Sequence, residues 1–107
     1  MIRYSDNLYL TDKTRENLNK IKRKLRLGAG MAGMYVIMLS DNPNDVFDIV
    51  ESSMFKIRRF RHADHTVIGL AESRRKAYGI IEEIVLSHYA KTGQYTGLRD
   101  YYHGVNA

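Results

Sequence analysis

Two short apolar runs do most to limit what this chain can fold into. Met34-Tyr35-Val36-Ile37-Met38-Leu39 stands between Gly33 and the turn-forming string Ser40-Asp41-Asn42-Pro43. Thr66-Val67-Ile68-Gly69-Leu70-Ala71 ends at Glu72-Ser73. Neither run alternates with polar residues, and each is shorter than an ordinary helix. Such runs read as strands buried on both faces, which requires helices above and below the sheet. The sequence supplies those helices, so the fold class is α/β. At 107 residues there is room for one domain and one core.

The first helix starts at Thr11 or Asp12, either of which can cap free amides. Its buried face is Leu18, Ile21 and Leu25, at helical spacing, and Gly28 is a natural stop. A second helix is expected directly after the first strand: Asn42 as cap, Pro43 in the first turn, and Val46, Phe47, Ile49 and Val50 as its stripe. Residues 53–63 suit either a short strand or a helical turn. The third helix is capped by Ser73, buries Ala77, Ile80, Ile81, Ile84, Val85 and His88 or Tyr89, and ends at Gly93. Ile2–Tyr4 or Leu8–Leu10 can add a short strand, giving a sheet of two or three strands flanked by three helices. A strand–helix–strand order predicts that the two central strands pair in parallel. Residues 94–107 are expected to form a tail, either docked on the body through Leu98, Tyr101 and Tyr102 or partly flexible.

Charge divides the chain into blocks. Residues 1–40 carry 8 basic and 3 acidic side chains, residues 41–57 carry 1 and 4, and residues 58–76 carry 6 and 2. Two basic blocks flank an acidic one, a pattern that bears on partners and association. Cysteine is absent, which excludes disulfides, thiolate metal sites and cysteine nucleophiles. The opening residues Met1-Ile2-Arg3-Tyr4-Ser5-Asp6 lack the apolar run of a secretory signal, and no stretch approaches the roughly 20 apolar residues of a membrane span. A cytoplasmic protein without a membrane partner is the expectation.

Gly28-Ala29-Gly30-Met31-Ala32-Gly33 reproduces the spacing of a dinucleotide-binding loop in the wrong context. It follows a helix and precedes a strand, so no helix N-terminus faces a phosphate there. His62-Ala63-Asp64-His65 offers three metal-ligating side chains but lies in a connection, and reads as polar turn chemistry. Glu82 and Glu83 are adjacent on a helix and diverge. No catalytic set, cofactor motif or metal site is assigned.

Three basic clusters remain: Lys20, Lys22, Arg23, Lys24 and Arg26; Arg58, Arg59 and Arg61 with Phe60 and His62; and Arg74, Arg75 and Lys76. Basic side chains with nearby aromatics suit phosphate contacts and base stacking. The cations of the first helix, however, are expected to fan around its solvated circumference. A further candidate comes from topology: parallel central strands would bring Asn42 together with Ser73, Arg74 and Arg75 at one sheet edge, where helix N-termini favour a small anion.

The basic helix Lys20-Ile21-Lys22-Arg23-Lys24-Leu25, the Ser40-Asp41-Asn42-Pro43 turn, and Val67-Ile68-Gly69-Leu70-Ala71 leading to Ile81-Glu82-Glu83-Ile84-Val85 together resemble a group of small uncharacterised proteins of anaerobic Gram-positive bacteria. The resemblance implies no activity, cofactor or site. By elimination the chain reads as a non-enzymatic binding or regulatory module that self-associates, because a narrow sheet leaves edges uncovered. Nucleic-acid binding through the basic clusters is the second reading, and a small-anion sensor or enzyme at the strand-end loops the third.

Overall fold

A computed structural model describes residues 1–29, 31, 33–42, 44–98 and 101–102. The chain is α/β, with four strands and four helices among these residues. In chain order they are β1 (Ile2–Leu10), α1 (Asp12–Glu16), α2 (Leu18–Leu27), β2 (Tyr35–Leu39), β3 (Phe47–Glu51), a 3₁₀ helix (Ser52–Lys56), α3 (Arg58–His62), β4 (His65–Ala71) and α4 (Arg74–Thr92). The sheet order is β1-β4-β2-β3.

The apolar runs become β2 and β4, the inner strands, as burial on both faces requires. Their pairing differs from expectation. β2 and β4 are antiparallel, and the parallel pair is β1 with β4. The cause is the segment expected as the second helix. Phe47–Glu51 is β3, an antiparallel hairpin partner of β2 that reverses the chain before it crosses to β4. Phe47 and Ile49 turn to one face of the sheet and Val50 to the other, the two-residue alternation of a strand. Asn42 caps no helix here. Its side chain accepts from the amide of Asn44 at 3.0 Å, within the hairpin turn, while the Pro43 of the helical reading lies outside the described residues.

Two apolar layers sandwich the sheet. On one face Ile21 and Leu25 of α2 and Phe55 of the 3₁₀ helix meet Val36, Met38, Val67 and Leu70. On the other, Ala77, Ile80 and Ile84 of α4 meet Ile37, Ile68 and Ala71. Leu98 and Tyr102 are buried against that second layer, whereas Tyr101 is exposed; residues 99–100 and 103–107 lie outside the description. Gly69 sits where β4 bulges against β2. A Cβ there would come within 3.1 Å of the Tyr9 carbonyl and 3.3 Å of Ile80, so a side chain would wedge α4 off the sheet.

The single first helix of the sequence reading is broken in two. Thr11 caps α1 in a reciprocal arrangement with Thr14, whose buried hydroxyl reaches the Leu70 carbonyl at 3.1 Å. Asn17 separates α1 from α2, and Gly28 closes α2 in the left-handed conformation. Residues 53–63, open in the sequence reading, are helical turns whose Phe55 and Phe60 fill the first layer. No helix among the described residues is long and apolar enough to cross a membrane.

A basic groove between strand β1 and helix α2

The connection from β1 through α1 leads into α2, which packs on the face of the sheet that also carries Ile2 and Tyr4 of β1. Between β1 and α2 runs a groove of about 1040 Å³, lined by Ile2, Tyr4, Lys20, Lys22, Arg23, Arg26, Arg61 and His62, with Met1 and Asn19 completing its wall. Two basic clusters separated by more than thirty residues thus meet in one place: four cations from α2 and Arg61 from α3.

Helical geometry explains how the α2 cations gather. At 100° per residue, Lys20, Lys22, Arg23 and Arg26 occupy one arc of roughly 160° on the side of the helix away from the buried Ile21–Leu25 stripe. With Lys24 the helix cations span about 200°, most of the circumference outside the buried stripe, and four of the five line the groove. Lys24, about 40° around the helix from Lys20 and 60° from Ile21, is half-buried and outside the groove lining. Arg58 and Arg59 are exposed on α3, which brings Arg61 to the wall.

The floor is Ile2 and Tyr4, whose side chains also belong to the first apolar layer. The Lys22 ammonium rests 4.6 Å from the Tyr4 ring centre, a cation–π contact. Burial pushes the Tyr4 hydroxyl up to about 12, although the nearby Arg26 charge pulls the other way. The phenol therefore stays neutral and can donate a hydrogen bond at physiological pH. Arg61 is anchored rather than free: its Nη1 donates to the Phe55 carbonyl at 3.0 Å, and the guanidinium covers Gly28.

Among the described residues, no carboxylate lines this groove. The ion pairs among the described residues are the Met1 nitrogen with Asp64, Arg15 with Asp12, and Lys76 with Glu72. The cations of α2 and α3 take part in none of them. A cleft walled by charges of one sign concentrates its potential and draws counterions inward.

The remaining candidates are not assembled. Because β2 and β4 are antiparallel, the turn after β2 and the loop after β4 leave opposite ends of the sheet, about 20 Å apart by the length of β4. Asn42 therefore does not meet Ser73, Arg74 or Arg75. The Ser73 hydroxyl accepts from the Lys76 amide as a plain helix cap, and Arg74 lies 5.3 Å from the Tyr35 ring centre. Among the strings set aside, the His65 ring contacts the Phe60 carbonyl at 2.6 Å and packs on Phe55 and Phe60. His62 faces the groove instead. No cluster of three metal-ligating side chains occurs among the described residues, and Gly30 and Ala32 of the glycine-rich string lie outside them.

A carboxylate already occupies the start of α4. Glu72 accepts from the Thr11 hydroxyl and pairs with Lys76 at 2.5 Å. Burial alone would raise its pKa, but the hydrogen bonds from Lys76 and Thr11 outweigh burial and hold it below the usual value. A lowered native pKa stabilises the fold fully above the unfolded carboxylate value, about 4.3. That contribution disappears as pH falls through the lower native value. Glu72→Gln is expected to flatten the acid limb of the stability curve below about pH 4.3, as read by urea unfolding from pH 6 to pH 3.

No family model, curated protein or solved structure matches this chain. The groove itself is the feature that sequence reasoning missed. The cations were visible, but nothing local indicated that β1 would run as an outer strand beside α2.

Proposed function

We propose that the protein binds single-stranded nucleic acid, seating the phosphate backbone in the groove between β1 and α2. The observation that carries this reading is the convergence of Lys20, Lys22, Arg23, Arg26 and Arg61 on one groove with no acidic partner. From Lys20 to Arg26 the cations extend roughly 9 Å along the helix axis. That length suits several phosphates of a strand better than one small anion, and several neutralised phosphates are what give such binding its strength. The Tyr4 ring and Ile2 provide an apolar floor for a base or sugar beside the charged wall.

The test is binding of a fluorescein-labelled 12-nucleotide oligo(dT) or oligo(U) by anisotropy, between 50 and 200 mM salt. Affinity is expected to fall steeply with salt, with a log–log slope of about −2 to −3 for three to four phosphates. Lys22→Ala with Arg23→Ala and Arg26→Ala should weaken binding at least tenfold, flattening the slope by about 0.7 for each cation lost. Arg74→Ala with Arg75→Ala, at the far end of the sheet, should change neither. Equal loss in both sets, or inorganic phosphate competing as well as an oligonucleotide at equal phosphate concentration, would reject the proposal.

A further inference from the structure

The two outer strands of the sheet carry opposite charge. β1 borders the basic groove, while β3, at the far edge, exposes Asp48 and Glu51. Neither carboxylate forms an ion pair among the described residues. Both strands have a β partner on one side alone, β4 for β1 and β2 for β3. An outer strand left this way offers a row of backbone donors and acceptors for another strand.

We infer that the acidic β3 edge of a second copy of this chain occupies the basic groove when no nucleic acid does, so that copies associate head to tail and mask their own binding site. Three features of the fold agree with this occupant. First, β3, β4 and β1 all run in the same direction. Translating a copy sideways therefore sets its β3 beside β1 as a parallel pair, with matching sheet faces aligned.

Second, the side chains then fall on complementary partners. Asp48 pairs with Met38, whose side chain belongs to the α2 face of the sheet, so Asp48 of the incoming copy lies on the groove side. Val50 is on that same face, suited to the Ile2 and Tyr4 floor. Glu51 pairs with Tyr35 on the opposite face, as Arg3 lies opposite to Ile2 and Tyr4. Glu51 of the incoming copy thus reaches Arg3 across the new strand pair.

Third, β1 departs from regular pairing between Tyr4 and Tyr9, so its regular stretch beside the groove is Ile2–Tyr4. A short contact of this kind depends on charge and dissociates readily. Such a contact is heterologous, one surface meeting a different one, and extends into open chains rather than closing as a dimer. The assembly does not require the nucleic-acid reading, but where both hold, assembly and nucleic acid exclude each other.

Sedimentation velocity from 5 to 200 µM protein at 50 mM salt tests it. The unmodified chain should show average mass rising with concentration and falling back at 500 mM salt. Asp48→Lys with Glu51→Lys should be monomeric throughout, and so should Lys22→Glu with Arg26→Glu. An equimolar mixture of the two variants should associate again, because it restores one natural pair of surfaces. All substitutions are at exposed or groove positions, and unchanged circular dichroism establishes that each variant folds. A chain that stays monomeric at 200 µM overturns the inference. So does a closed dimer that survives both charge reversals, as association through the exposed Tyr78 and Leu86 of α4 would. Oligonucleotide binding by the Asp48→Lys, Glu51→Lys variant, whose groove is intact, separates the two proposals. Loss of assembly without any oligonucleotide binding rejects the nucleic-acid reading alone.

Discussion

Phe55→Ala is expected to remove about 3–5 kcal/mol of folding stability, the range for truncating a fully buried aromatic. Phe55 is 0% exposed and lies at the centre of the layer between the sheet and the connection from β3 to β4. Its ring meets Phe60 edge-on at 5.1 Å and His65 at 5.5 Å, joining the 3₁₀ helix, α3 and the start of β4. Removing it leaves a void inside the layer that also holds Ile21, Leu25, Val36 and Val67. Domains of this kind hold about 5–15 kcal/mol in all, so the loss is a large share of the total. The expected readout is a fall in the urea midpoint with an unchanged slope, and a melting temperature lower by roughly 15–25 °C. Phe55→Leu, which keeps most of the volume, should cost well under half as much. A loss below about 1 kcal/mol for the alanine variant would mean that this layer is looser than its burial implies.

That Phe55 carries so much weight was not readable from its neighbourhood. Ser53-Met54-Phe55-Lys56-Ile57 has no periodicity that selects helix over strand, because a 3₁₀ turn followed by five residues of α-helix is too short to repeat a pattern. The strands β2 and β4 and the helices α2 and α4 were legible for the opposite reason. Their apolar runs or stripes are long, and their ends carry residues with a local mechanism: Gly28 and Gly93 as left-handed stops, and Ser73 as a cap.

The β3 segment shows how local cues can agree with the wrong answer. Val46, Phe47, Ile49 and Val50 fit one face of a helix, and Asn42-Pro43 is a good helix start. The same five residues from Phe47 to Glu51 also fit a strand, and pairing with the full length of β2 decided between them. With that one element changed, the central strands became antiparallel and the anion site built on parallel strands came apart. The groove was half legible. The cation clusters could be listed from sequence, but their convergence depends on β1 taking the outer position beside α2, a long-range outcome with no local signature.

Gly28 links the fold to the groove, and Gly28→Ala is the second large effect expected. The residue closes α2 with φ of +71°, a conformation that costs an L side chain about 1–2 kcal/mol. Space adds to the cost. A Cβ at this position would lie 1.9 Å from Nη1 of Arg61 and 3.2 Å from the Phe55 carbonyl. The guanidinium can swing away, but it then gives up its hydrogen bond to that carbonyl, a charged donor whose bond contributes about 1.5–3 kcal/mol. The total expected is about 2.5–5 kcal/mol, measured by urea unfolding. Gly33, with a similar φ of +72° but no neighbour closer than 3.9 Å, should cost the conformational part alone when changed to Ala. The interaction can be isolated by a double-mutant cycle. In an Arg61→Ala background, Gly28→Ala should lose the part of its cost that comes from displacing the guanidinium, a coupling of about 1 kcal/mol or more. The same displacement moves Arg61 at the groove wall, so Gly28→Ala should also alter the salt slope of oligonucleotide binding, as Gly33→Ala should not. Strict additivity of the two changes would show that Arg61 does not rest on Gly28, and the anchor for the α3 side of the groove would have to be sought elsewhere.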